Sequence, residues 1–233
     1  MLRWSDFPNL VHGYSEAIDG TMAINGGFEN RQHYLAQHGL RPAETVHAGL
    51  CHGTNIVVVT ASDGGTIIPD TDGLITAEPN VGLAMTAADC LLISAYDPKR
   101  QVIGMVHAGR RGLAAEILLK FFQGWIEAFP SIASDCLVSI SPGICADHYT
   151  VSKNDAAAFA QWPDACQKRD YDFRLDLRSV ARQQLLTAGV QEGKMMFDSR
   201  CTFEDHALYS YRRDHPITPQ LQVGYIVRKS EIS

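Results

Sequence analysis

The sequence predicts an α/β fold: a single-domain, layered mixed sheet with flanking helices. Short continuous apolar runs that suit buried strands alternate with segments of helical periodicity. Two neighbouring strand-like runs are joined by a connection too short for a helical crossover, so the sheet is not purely parallel. No repeat period or low-complexity tract interrupts the 233 residues, a length that supports one substantial core. The domain is therefore expected to occupy residues 1–233.

The elements follow in order. The first fifty residues are turn-rich, with Gly20, Gly26 and Gly27, before a helix near Arg31–His38. Ile56–Val59 is an apolar β-branched run that suits a buried strand. The stretch Gly64–Gly73, rich in Gly, Asp and Pro, reads as an exposed loop. Strands are expected at Cys90–Tyr96 and Val102–His107, joined by the turn Asp97-Pro98-Lys99-Arg100. Leu113, Ile117, Leu118, Phe121 and Trp125 then share one face of an amphipathic helix, with Glu116, Lys120 and Gln123 elsewhere. A strand at Leu137–Ser141 ends in Pro142-Gly143. A second helix, Leu177–Ala188, is introduced by Asp176 as N-cap and closed by Gly189, and Leu221–Val227 is the last strand. Strands and helices in this order make a layered domain.

Composition narrows the function. Hydrophobic residues at 45% and charged residues at 20% are those of a folded globular chain. A net charge of −6 argues against nucleic acid or an anionic membrane as main partner, since both favour a basic surface. The N-terminal segment has no apolar signal-like run, and Ile117–Phe129 is interrupted by Lys120, Gln123, Gly124 and Glu127, so neither export nor a membrane span is expected. The six cysteines are scattered, which with a cytoplasmic location suits reduced thiols.

Three residues stand out as chemistry. A hairpin would set Cys90, at the start of one strand, against His107, at the end of the next, 17 residues on. His52, just before the Ile56 strand, can join them from a third strand's edge. One thiolate and two imidazoles leave a fourth tetrahedral position open, the ligand count of a catalytic zinc site. Two other readings fit the same residues: a small buried thiol beside a strand-end histidine, and a Cys90–His107 nucleophile–base pair oriented by His52 or Asp89. His107-Ala108-Gly109-Arg110-Arg111-Gly112 runs from a strand into a helix N-terminus, which reads either as an anion-binding junction with guanidinium donors, Arg111 for phosphate, or as a βα turn with solvated arginines. Arg212-Arg213 adds a second cationic pair, of which at most one member should face a given pocket.

These segments resemble the bacterial multicopper polyphenol oxidase (laccase-domain) family, also called the peptidoglycan editing factor or purine nucleoside phosphorylase family. The matching stretches are Leu50-Cys51-His52-Gly53, Ala87-Ala88-Asp89-Cys90, the His107–Gly112 segment, Ser141-Pro142-Gly143-Ile144 and Ser210-Tyr211-Arg212-Arg213-Asp214. Glu29-Asn30-Arg31 resembles the family's E-N-R helix, and order and spacing agree from about residue 11 onward. The resemblance implies metal ligands His52, Cys90 and His107, with Cys90, His107 and Asp89 in the catalytic group and Arg111, Arg212 and Arg31 binding substrate. It implies zinc-dependent phosphorolysis of adenosine, inosine and methylthioadenosine, with adenosine deamination as a related activity, and a nucleoside and phosphate as partners. Copper-dependent oxidation of phenols is the family's other attribution. A core similar to the cytotoxic necrotizing factor catalytic domain keeps a Cys–His hydrolase in view, and a non-catalytic metal-binding role in cell-wall maintenance is the alternative outside catalysis.

Counting bears on copper. A four-copper centre needs about ten imidazoles, many in His-x-His pairs, to suit copper's ligand preference. The chain has nine histidines and no such pair, leaving only a mononuclear copper, with Met85 or Met105 nearby, as the copper form. The family pattern is altered where Leu50 replaces Gln, Ala87 replaces Thr, Leu92 replaces Pro and Arg110 replaces Trp. The loop Ser15–Gly20 also lacks the family's Arg. The triad is intact, whereas the pocket wall has changed.

Overall fold

A computed structural model describes residues 3–169 and 172–230. The strands, in chain order, are β1 Leu10–Tyr14, β2 Thr45–Ala48, β3 Ile56–Val58, β4 Ile67–Ile68, β5 Gly73–Thr76, β6 Gly82–Ala87, β7 Leu91–Asp97, β8 Val102–Ala108, β9 Leu137–Ile140, β10 Thr150–Val151, β11 Cys166–Arg169, β12 Asp172–Leu175, β13 Met195–Phe197 and β14 Gln222–Arg228. The helices are α1 Ile24–Gln37, α2 Arg110–Ala114, α3 Ile117–Ala128, α4 Lys153–Ala157, α5 Leu177–Thr187 and α6 Tyr211–Asp214.

The expected hairpin is the centre of the molecule. Asp97 Oδ1 accepts the amides of Lys99 (2.8 Å) and Arg100 (3.1 Å), which closes the turn and aligns β7 antiparallel to β8 with Leu92 opposite His107. A six-stranded sheet, ordered β13-β9-β7-β8-β5-β3, is built around this pair. A five-stranded sheet, β1-β14-β6-β2-β4, stacks on one of its faces, and β10-β12-β11 form a small third sheet. Mixed sheets with helices outside them make the α/β layered architecture expected from the sequence.

Layering explains why β7 and β8 read as unbroken apolar runs. Along β8, Val102, Val106 and Ala108 face a core shared with Phe121, Trp125, Val180 and Leu185 of α3 and α5. Alternate residues Ile103 and Met105 enter the core between the sheets with Leu83, Met85 and Ile226. Every residue of both strands is buried because both faces are covered. On the far side, α1 covers the five-stranded sheet through Tyr34 and Leu35 against Val223 and Tyr225. Gly104 is required where α3 presses on β8, since a Cβ there would lie 2.5 Å from the Trp125 ring.

Several sequence expectations are corrected. The first helix begins at Ile24, seven residues before the expected Arg31, and bends at Gly26, whose φ is +82°. The turn-rich first fifty residues also hold β1 and β2. The amphipathic helix is two helices, broken at Glu116 with φ +60°, so Leu113 and Ile117 belong to different axes. The stretch Gly64–Gly73 is not wholly an exposed loop: it contains β4, and Thr71 and Asp72 are completely buried. The second amphipathic helix ends one residue early, at Thr187, while the Asp176 carboxylate caps it as expected by accepting from Arg178 N (2.9 Å) and Ser179 N (3.1 Å). None of the described helices is long and apolar enough to cross a membrane, and all six cysteines carry free thiols.

Candidate metal centre

The hairpin register decides which side chains meet. Pairing of Leu91 with Ala108 places Cys90 and Gly109 beside each other at the open end of the β7–β8 ladder. His107 falls on the same alternation as Ile103 and Met105, toward the inter-sheet side. His52 arrives from the segment between β2 and β3, in the left-handed region with φ +61°. The side-chain nitrogens of His52 and His107 and the Cys90 sulfur lie within 4.8 Å of one another. The two rings stand edge to face at 4.9 Å, with the Cys90 sulfur beside both. Gly109 makes this approach possible, because a Cβ at that position would sit 2.8 Å from Cys90 Sγ and 3.3 Å from His107 Cε1.

Asp72, which the sequence reading passed over as loop, organises the site. Its Oδ1 accepts the Nδ1–H of His107 (2.9 Å) and the amide of His52 (3.1 Å). Its Oδ2 accepts the amides of Gly53 (2.7 Å) and Cys51 (3.3 Å) and the Cys51 thiol (3.1 Å). The backbone follows suit, since His107 N donates to the Asp72 carbonyl at 2.8 Å. A carboxylate on Nδ1 fixes the tautomer that leaves Nε2 as a free lone pair, the outer-shell arrangement of histidine metal ligands. Nothing local in Pro69-Asp70-Thr71-Asp72-Gly73 announces this role; the one signal is chemical, that a ligating imidazole wants an acceptor on its other nitrogen.

Electrostatics follow from burial and charge. Burial pushes the Cys90 thiol up, but the His107 and His52 imidazoles outweigh it and bring the pKa down to about 6. Burial alone would lower His107, whereas the Cys90 sulfur and the Asp72 carboxylate raise it to about 9. Burial would raise Asp72, yet hydrogen bonds from His107, Cys51 and Gly53 hold it well below the usual carboxylate range. A thiolate flanked by imidazoles fits a divalent metal of the zinc or copper type. Tetrahedral geometry needs donor separations of roughly 3.3–3.6 Å, and the three donor atoms lie within 4.8 Å of one another.

The other expected site residues divide. Asp89 is buried beside Cys90 with φ +82°, and its carboxylate is fully engaged by the Thr202 hydroxyl (2.6 Å) and the Arg212 amide (2.7 Å). The Arg212 guanidinium lies 4.9 Å over the Tyr149 ring and donates to the Thr150 carbonyl at 3.0 Å. Arg213 turns elsewhere and donates to the carbonyls of Thr202 (2.7 Å) and Leu208 (2.8 Å), so the two guanidiniums have different surroundings. These residues form a helical turn rather than an extended segment. Arg111 is exposed in the short α2 that follows Gly109, while its neighbour Arg110 is ion-paired with Asp155. Arg31 is placed elsewhere: it is 1% exposed, donates to the Met22 carbonyl (2.7 Å) and faces His47 between α1 and β2. A shallow cleft opens beside Cys90, lined by Tyr14, Asp89, Ser141, Leu208 and Gln222 among others. The Gln222 amide donates to Tyr209 O at 3.2 Å, which leaves its Oε1 without a hydrogen-bond partner.

Residues 25–227 match the profile of the family described as multi-copper polyphenol oxidoreductase laccase. The chain belongs to this laccase family. It is 34% identical to the purine nucleoside phosphorylase YlmD of Geobacillus stearothermophilus, over 97% of this chain and 85% of the relative. It is 30% identical to the protein of the same name from Bacillus subtilis, over 83% and 74%. The crystal structure of YlmD from Geobacillus stearothermophilus superposes with a TM-score of 0.90 at 28% identity, covering 96% of this chain and 93% of that one. The hypothetical protein YfiH of Bacillus licheniformis gives 0.89 at 26% identity, covering 97% and 94%. The laccase-family fold is thus shared across the whole layered structure.

Proposed function

We propose that this chain is a zinc-dependent purine nucleoside phosphorylase acting on adenosine, inosine and methylthioadenosine, with residues 1–233 as one functional domain. The observation that carries the reading is the convergence of His52, Cys90 and His107 with Asp72 fixed on His107. The names of the relatives supply the reaction class, phosphorolysis of purine nucleosides. When bound, the metal supplies Lewis-acid polarisation beside the cleft.

The chain's own residues have separable tasks. Phosphorolysis forms a phosphate–C1′ bond as the C1′–N9 bond breaks, and the purine leaves with the electron pair and a proton. Arg212, held over Tyr149, and exposed Arg111 neutralise the incoming phosphate. Asp89 is a positioning residue, because both its oxygens are spent on holding Thr202 and the Arg212 backbone in place. Gln222 Oε1, buried on the cleft wall, accepts from the purine edge, an exocyclic N–H in adenine or N1–H in hypoxanthine. Arg31 serves the packing of α1. Deamination of adenosine in the same cleft replaces the exocyclic amine by water at C6 and releases ammonia.

Purified zinc-loaded protein is to be incubated with inosine and with adenosine, with and without phosphate. Hypoxanthine or adenine release that requires phosphate, together with its loss in Cys90→Ala, is expected. Metal binding with no turnover on any nucleoside would overturn the phosphorylase reading in favour of a binding protein.

A further inference from the structure

We propose that Cys145, His148 and Glu204 form a second metal site for a zinc-class divalent cation, separate from the His52–Cys90–His107 centre. Cys145 precedes a single turn of 3₁₀ helix, Ala146–His148, in which His148 N donates to Cys145 O at 3.2 Å. Side chains three residues apart eclipse in such a turn, so the thiol and the imidazole emerge on one side. A similar tight turn, closed by Glu204 N on Cys201 O at 3.1 Å, delivers Glu204. The Gly143–Cys201 bridge and the Thr202 N–Gly143 O bond (3.2 Å) lock the two turns together.

The three donors point at one place. Cys145 Sγ, the His148 ring nitrogen and a Glu204 oxygen lie within 4.8 Å of one another. His148 Nε2 is 2.9 Å and Cys145 Sγ 3.8 Å from the same Glu204 Oε1. His148 stacks flat on Phe203, 4.2 Å away at 10°, which sets the ring plane before any ion arrives. The Cys145 amide donates to Cys201 Sγ at 3.2 Å and holds the first turn against the second. A His–Glu contact alone is an ordinary surface ion pair of little consequence. A thiol aimed at the same point makes an S, N, O donor set, with a fourth position open to water from the exposed Glu204 side. Binding releases the Cys145 thiol proton to solvent as the metal–sulfur bond forms. It also ties down the turn whose Thr202 hydroxyl holds Asp89.

The test uses the full chain, reduced and stripped of metal, titrated with Co²⁺ and read by the thiolate-to-cobalt absorption band. Wild type is expected to take two equivalents, Cys90→Ala one, and the Cys90→Ala/Cys145→Ser double variant none at concentrations that saturate Cys90→Ala. Glu204→Gln in the Cys90→Ala background, chosen because the Glu204 side chain is 60% exposed, weakens the remaining equivalent by more than about 100-fold, beyond the cost of about 10–100-fold for losing an outer partner. One equivalent in wild type and none in Cys90→Ala would refute the second site and leave the triad standing. One equivalent in both would refute the triad and support the second site. A Cys145–Cys201 disulfide in protein kept under reductant, or a band that survives in Cys90→Ala/Cys145→Ser, would also overturn the proposal.

Discussion

Asp72→Asn is the most informative single change, because it keeps the shape of the side chain and removes its charge. Asp72 accepts from His107 Nδ1, from the amides of Cys51, His52 and Gly53, and from the Cys51 thiol. An asparagine has one oxygen to offer and turns an NH₂ toward donors that formerly had an acceptor. At least two donors, buried or part-buried, lose their partner, at roughly 1–3 kcal/mol each, so metal-free protein should be destabilised by about 2–6 kcal/mol. In a chain of 233 residues that is a fall in Tm of roughly 5–15 °C. The His107 tautomer is also released, and loss of such an outer partner weakens metal binding by about 10–100-fold. Differential scanning calorimetry of the metal-free form and competition against a chromophoric chelator measure the two effects separately. Wild-type metal affinity in a folded Asp72→Asn protein would refute the claim that Asp72 orients the centre.

Other outcomes follow from contacts already described. Gly109→Ala should keep the fold yet lose metal, with affinity down by at least about tenfold, since the new Cβ occupies the space of the Cys90 sulfur; metal content beside circular dichroism checks this. Arg212→Ala should raise the phosphate KM by roughly tenfold, in keeping with a lost charge-assisted contact, while leaving metal content unchanged; steady-state kinetics at varied phosphate decide it. Gly104→Ala should cost about 1–3 kcal/mol by pushing into Trp125 and Phe121, with activity per folded molecule intact, as a melting curve paired with a rate would show. Burial works to raise Asp198, but hydrogen bonds from Tyr14 and Arg200 prevail and lower it. Its stabilising effect is therefore present above the unfolded carboxylate value of about 3.9 and is lost as pH falls through the lower folded value. The Tm gap between wild type and Asp198→Asn should close over that acid window, and a gap independent of pH would contradict the assignment.

How much of this was legible in the sequence depended on how locally each feature is encoded. The β7–β8 hairpin was readable because strand, turn and strand are contiguous and covered on both faces. The capped helix Leu177–Thr187 was readable for the same reason, with Asp176 at one end and Gly189 at the other. The strands β5 and β6 were not foreseen: Gly73-Leu74-Ile75-Thr76 sits behind turn residues, and Gly82–Ala87 mixes glycine and alanine with only a few strand-favouring residues. That His52, Cys90 and His107 come together was expected from residue chemistry, spacing and the family resemblance taken together, whereas Asp72 was hidden, because a buried carboxylate in a Gly/Asp/Pro segment looks like any other loop acid until long-range pairing closes over it. Arg31 illustrates the opposite case: a conspicuous cation in a family-like motif that lies buried, with Nε donating to the Met22 carbonyl, Nη1 facing His47 and Nη2 without a hydrogen-bond partner.

The three sides of the centre are unequal, and that inequality has a kinetic meaning. His107 stands on β8 of the central sheet and Cys90 directly precedes its partner strand β7, whereas His52 is exposed and hangs from a left-handed backbone position between strands. An arriving ion can be gripped by the two donors at the sheet and then closed in by the exposed one, and it leaves by the reverse path. Exchange half-life, rather than equilibrium affinity, would then be governed by the few residues around His52, and a proline or disulfide that stiffened that segment would slow turnover of the bound ion without touching a ligand.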